Sequence, residues 1–245
     1  MMFAMDELKI ILLILVGAGA GFVQRVSGFG LGIFAMLFLP YICPDTAFAA
    51  AVSCLWSCVT SLYNAVKYRK DANLKLLVPL ICTSIVTIPV AVMFSTRVPQ
   101  RIMTVILGAV LIVLSVYFLK VSAKIRIKAT PLSGGIAGAV GGALNGLFST
   151  GGPPVVLYMA AATSDKSVYF ASIQMYFAAT NIYSTAMRAA AGMITPTLLL
   201  YAAVGAVGCM AGDRLGLLVW GRLDTEKVKR IIYVAMILSG VLMII

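Results

Sequence analysis

The sequence predicts an all-α fold: a polytopic helical bundle in a lipid bilayer, built from two inverted-topology repeats. Three observations carry this. Apolar runs close to a bilayer's thickness fill nearly the whole chain, polar residues interrupt them at matching places in the two halves, and the cations gather in the short connections between runs.

The chain is 62% hydrophobic and 11% charged, with a mean hydropathy of +1.04. A soluble domain is roughly half apolar and a quarter charged. Apolar surface on this scale has no core of matching size to hide in, so lipid must cover it. The runs are continuous rather than alternating, which selects helices over a barrel. The opening MMFAMDELK carries two acids and one lysine, a poor start for a signal peptide, so the first run is read as part of the fold. The net charge of +11 sits in loops between runs and requires no nucleic acid.

Cys43, Cys54, Cys58, Cys82 and Cys209 fall mostly inside apolar runs and read as small buried hydrophobes. There is no histidine and no cluster of acids, so neither a metal site nor a cofactor is expected. The same lack argues against an intramembrane enzyme, which needs a nucleophile with its base or paired carboxylates.

The first half offers segments 8–24, 29–42, 46–66, 74–95 and 101–119, and the second 131–147, 152–163, 167–190, 196–218 and 228–245. The shift that carries Gly17 onto Gly138 also carries Gly21 onto Gly142, Gln24 onto Asn145 and Gly30 onto Gly151. Further along it carries Ser53 onto Gln174, Thr60 onto Asn181, Asn64 onto Thr185 and Lys67 onto Arg188. The matches are chemical more than literal, but they run in order. They divide the chain into repeats at 1–120 and 130–245, joined by a linker at 121–129 within the basic stretch KVSAKIRIK (120–128).

The first two segments of each half are short, and can be a re-entrant hairpin, two short spans or one broken helix. Cation placement favours an arrangement that returns to its starting side. Then 67–75, 120–128, Lys166 and 221–230 share one face with thirteen cations, against Lys9, Arg97 and Arg101 on the other. The linker becomes cytoplasmic, both termini lie on the opposite face, and five segments per half turn the second repeat upside down, as in many secondary transporters.

Each hairpin bends at a polar tip, QRVSGFG (24–30) and NGLFSTGGPP (145–154). Arms of about 14–17 residues reach the bilayer middle at 1.5 Å per residue, where irregular backbone survives only inside protein or beside a wet cavity. A helix starts after each tip and exposes free N–H groups at the positive end of its dipole. Gln24, Arg25, Ser27, Gly28, Gly30, Asn145, Ser149, Thr150, Gly151, Gly152 and Pro153 are therefore the candidate substrate-binding residues, for a small anion held by two helix starts and one guanidinium.

Glycines 17, 19, 21, 138, 141 and 142 read as close helix packing. Ser53, Ser57, Thr60, Ser61 and Asn64 share one face of the third segment, and Gln174, Asn181, Thr185 and Arg188 one face of the eighth. Such faces line a pathway or bond to neighbouring helices. Arg188, at its segment's outer end, reads as an interfacial anchor. Asp213 is the carboxylate that falls within a span, with Arg214 beside it, and is a weak candidate for a proton relay.

VSGFGLG in the first half and GLFSTGGPPVVLY in the second resemble the paired glycine-rich motifs of the TauE/SafE (sulfite exporter, TSUP) family. The resemblance covers essentially the whole chain. It implies a multi-pass protein of a bacterial-type plasma (inner) membrane that moves sulfur-containing or other small organic anions. It also implies that Gly28, Gly30, Ser149, Thr150, Gly151, Gly152, Pro153 and Pro154 lie at the functional centre, with Ser149 standing where a glycine is usual. The expected function is secondary transport of a small anion, a sulfur oxyanion or organosulfonate, by alternating access around the tips. An anion channel of the same build and a carrier of a small carboxylate are the alternatives. The expected partners are the anion and the bilayer, and a homodimer is left open.

Overall fold

The computed structural model describes residues 6–121, 128–219 and 225–245, so most of the linker lies outside the described residues. Among the described residues ten α-helices follow one another: α1 (Glu7–Ser27), α2 (Leu31–Ile42), α3 (Thr46–Lys67), α4 (Leu74–Arg97), α5 (Gln100–Val116), α6 (Pro131–Phe148), α7 (Gly152–Ala162), α8 (Lys166–Ala190), α9 (Pro196–Val219) and α10 (Thr225–Ile244). Among the described residues there is no strand. α1, α3, α4, α5 with its extension to Leu119, and α9 are long and apolar enough to cross a membrane. The protein is a polytopic helical membrane protein.

Helix starts follow the local chemistry. Asp45 accepts from the Phe48 amide at 2.7 Å, and Asp165 from the Ser167 and Val168 amides at 2.8 and 3.2 Å, so the N-caps of α3 and α8 match. Thr130 and Ser133 form a reciprocal capping box on α6, with Pro131 in its first turn.

The hairpin arms are unequal, unlike the expectation of two similar short arms. α1 has 21 residues and α6 18, whereas α2 has 12 and α7 11. α1 continues to Ser27 rather than ending near Gln24, because Gln24 and Arg25 find partners on α8 and α9 and need not leave the helix. Gly28, at φ 80°, then ends it in the left-handed conformation, its N–H donating to the Gln24 carbonyl at 2.9 Å.

The most extensive pairings are α1 on α9, α4 on α6, α3 on α8 and α5 on α10. This set is unchanged when each helix is exchanged with the one five places along. Small residues make the first two possible. A methyl at Gly17 or Gly21 would collide with the backbone around Gly205 and Cys209 of α9, and one at Gly138, Gly142 or Gly146 with α4 around Leu80, Ser84 and Ile88. Close backbone approach of this kind replaces the hydrophobic drive that lipid removes. α3 and α8 carry the polar faces inward: Ser53, Ser61, Asn64, Gln174, Asn181 and Arg188 are all buried.

Candidate functional site

The two tips touch. The Gly32 backbone, in the first turn of α2, lies so near the Ser149 carbonyl that a methyl has no room there, and Gly152 packs against Phe29. Between them is a cavity of about 30 Å³ lined by Gln24, Gly30, Leu31, Gly32, Ile33, Asn145, Ser149, Thr150, Gly151 and Gly152, with Ser57 and Ser61 from α3 and Phe177 and Asn181 from α8. One water needs about 10–15 Å³ on such a measure, so the space suits a very small solute.

The first tip is held by amides. Gln24 Oε1 accepts from the Leu31 N–H at 3.2 Å and its Nε2 donates to Gln174 Oε1 at 3.4 Å, while Gln174 Nε2 donates to the Gly28 carbonyl at 3.0 Å. Gln24 thus caps α2 with its side chain. The Phe34 amide returns to the Gly30 carbonyl, so by helix geometry the Gly32 and Ile33 amides have no carbonyl of their own helix to bond. Both residues line the cavity.

At the second tip α6 ends on Ser149, a non-glycine residue at φ 57°, ψ 28°. Its N–H donates to the Asn145 carbonyl at 2.9 Å and the Thr150 N–H to the Leu144 carbonyl at 3.3 Å. Asn145 Nδ2 donates to Asn181 Oδ1 at 2.9 Å. α7 begins Gly152-Pro153-Pro154, and the prolines carry no N–H, so the positive end of that helix rests on the backbone of Gly151 and Gly152. Asn145 Oδ1, Ser149 Oγ and Thr150 Oγ1 are buried with no hydrogen-bond partner among the described residues. A buried polar atom without a partner costs roughly 1–3 kcal/mol, and all three belong to residues lining the cavity.

Of the eleven residues predicted from the sequence, the cavity brings together Gln24, Gly30, Asn145, Ser149, Thr150, Gly151 and Gly152. Gly28 stands behind it, engaged through its carbonyl by Gln174. Ser27 faces a separate small apolar cavity, its hydroxyl donating to the carbonyls of Val23 and Phe29. Pro153 is buried in the first turn of α7, outside the lining.

Arg25, expected to be the anion's fixed charge, lines a different and larger cavity. Its Nη2 lies 2.5 Å from Asp213 Oδ2 on α9 and 3.2 Å from Asn64 Oδ1 on α3. Arg188 is a correction: it is no interfacial anchor. It is 1% exposed and donates to the Gly146 carbonyl at 3.0 and 3.2 Å and to the Asn145 carbonyl at 3.2 Å. A cation thus satisfies the C-terminal carbonyls of α6 where its dipole is negative.

Leu31, Gly32, Ile33 and Phe177 also line the cavity, and nothing in their local sequence pattern sets them apart. Ser57, Ser61 and Asn181 were legible only as members of polar faces. Among the described residues the lining carries no charged side chain of either sign, so its polarity there comes from hydroxyls, amides and helix starts.

No curated protein and no solved structure matches the chain. Residues 13–243, nearly its whole length, match the family described as Sulfite exporter TauE/SafE. The match takes in both tips and every helix bearing on the cavity between them, and the chain belongs to the sulfite exporter TauE/SafE family of membrane transporters.

Proposed function

We propose that the chain is a secondary transporter that holds a small anion, a sulfur oxyanion such as sulfite or a small organosulfonate, in the cavity between the tips. The observation that carries the reading is the cavity itself: its described lining has no carboxylate, and it brings Ser149 and Thr150, whose hydroxyls have no partner among the described residues, together with Gly32 and Ile33, whose first-turn amides have no carbonyl of their own helix. An anion accepts from all of these, and two helix starts add a favourable field without a fixed cation that would retain it. Charge-assisted hydrogen bonds contribute roughly 1.5–3 kcal/mol each, so three or four can offset part of the desolvation of a small anion. The small volume favours sulfite over longer sulfonates.

The short arms set the geometry. Twelve residues of α2 and eleven of α7 make helices of about 18 and 17 Å, each past the midpoint of a hydrocarbon layer of about 30 Å. In this reading the hairpins enter from opposite faces of a bacterial-type inner membrane, as inverted repeats 1–120 and 130–245 require. The linker is cytoplasmic, the termini lie opposite, and alternating access follows from one repeat rocking against the other.

The test is flux in vesicles containing the purified chain. Sulfite efflux is expected to saturate with concentration and to fall at least tenfold in Thr150→Val, which keeps the shape and removes the hydroxyl. Flux linear in sulfite up to high concentration means a channel, and unchanged flux in Thr150→Val removes the tip cavity from the path.

A further inference from the structure

The larger cavity, about 530 Å³, lies between the end of α1 and the second halves of α3 and α9. The buried Arg25–Asp213 ion pair lines it. Arg25 Nε and Nη1 and Asp213 Oδ1 have no hydrogen-bond partner among the described residues, so the pair is neutral in sum but short of hydrogen bonds. Lys67, the last residue of α3, and Arg214, near the end of α9, also line it and are exposed. Among the described residues neither has a carboxylate partner, so two cations are left over there. Lys67 Nζ stands 5.8 and 5.3 Å from the rings of Tyr63 and Tyr68, a cation–aromatic cluster suited to a headgroup boundary.

Apart from the buried Thr60, the remaining wall is apolar and much of it faces outward: Tyr63 is 60% exposed and Leu218 73%. On a membrane protein such a flank faces acyl chains. A free anion from water can reach the two exposed cations but leaves the apolar wall uncovered, whereas an amphiphile satisfies both parts at once.

We propose that this cavity is a binding site for an anionic phospholipid, its phosphate between Lys67 and Arg214 and one acyl chain along the wall beside Leu218. Basic pockets between membrane helices take acidic headgroups by this combination. The lipid would close the cavity over the ion pair that ties the end of α1 to α9, and so steady the first tip from behind. The inference stands on the cavity and its charges, and holds whatever anion occupies the tips.

The test uses the full chain purified in detergent, with thermal stability followed as lipid is added. Phosphatidylglycerol and phosphatidylcholine with identical chains are compared, with glycerol phosphate as the headgroup without a chain. About 1 kcal/mol for each of two cations corresponds to roughly a 30-fold preference, so phosphatidylglycerol should reach half its effect at about one-thirtieth the concentration of phosphatidylcholine. In the double variant Lys67→Gln, Arg214→Gln the two lipids should become equivalent. Equal action of the two lipids on the unaltered protein, a preference that survives the double variant, or a full effect from glycerol phosphate alone would each overturn the assignment. Should the double variant not fold, native mass spectrometry of the unaltered protein from an equal mixture decides: phosphatidylglycerol retained in excess supports the site, and equal retention refutes it.

Discussion

Replacing Ser149 by glycine separates two contributions made by one residue. Its backbone sits at φ 57°, ψ 28°, where an L side chain costs about 1–2 kcal/mol. Glycine removes that cost but loses about 0.5–1 kcal/mol more chain entropy on folding. The backbone alone therefore predicts a change between about zero and a gain of about 1.5 kcal/mol, centred near about 0.75 kcal/mol. The buried hydroxyl without a partner adds to the gain, by up to about 1–3 kcal/mol where no water reaches it. At about 2–4 °C per kcal/mol for a chain of this size, the central backbone gain raises melting by about 1.5–3 °C, and the freed hydroxyl adds to it. The proposed anion contact works the other way: one lost charge-assisted hydrogen bond of roughly 1.5–3 kcal/mol means binding weaker by about 10- to 150-fold. Thermal melting with and without sulfite reads both effects. A glycine variant that melts lower refutes the strain argument, and one that melts higher yet binds sulfite unchanged refutes the hydroxyl's role.

Gly32→Ala should push the tips apart, because its methyl has no room beside the Ser149 carbonyl; loss of sulfite flux with melting lowered by several degrees is expected, and a variant with normal flux means the contact is dispensable. Arg188→Met should destabilise by about 3 kcal/mol or more, since it strips the buried Asn145 and Gly146 carbonyls of their donor; Arg188→Lys should recover only part, because an ammonium cannot reproduce the planar fork, and full recovery in melting would refute this. Asp213→Asn should cost about 3–5 kcal/mol by leaving the buried Arg25 charge uncompensated, and adding Arg25→Gln should restore most of the loss; a double variant no more stable than the single one shows that the pair does not act as a unit.

What the sequence discloses is local. Asp45 and Asp165 announce two helix starts because an N-cap needs only the next few residues. Apolar length announces the spans, and the glycines near 17–21 and 138–142 announce close packing. The tips are legible because polar residues in lipid demand a reason. The partners of those polar residues are not legible, since they come from distant helices. Arg25 meets Asn64 and Asp213, 39 and 188 positions away, and no periodicity encodes that. Arg188 looks like an anchor from its position near a span's end, yet the α6 carbonyls it serves lie 42 and 43 residues back. The same limit explains the underestimated length of α1: Gln24 and Arg25 look like a helix end until α8 and α9 supply their bonds.

Both tips are bonded to α8, and those two attachments differ in strength. Gln174, Asn181 and Arg188 are spaced seven apart and so recur on one side of α8. Gln174 holds the first tip by two hydrogen bonds between neutral groups, at 3.4 and 3.0 Å. Asn181 and Arg188 hold the second by one neutral bond at 2.9 Å and three from a guanidinium at 3.0–3.2 Å. Bonds from a charged donor are roughly twice as strong, so the second tip is fixed to α8 and the first is the one that can leave it. Gln174→Ala should then raise amide exchange over 24–33, the end of α1 and the start of α2, by about tenfold, for a loss of about 1–2 kcal/mol, while 145–152 keeps its protection. Arg188→Met should loosen 145–152 first. Equal loosening of both tips by Gln174→Ala would mean that they open as one body, and a cavity between them could not then open to one side at a time by parting the first tip from α8.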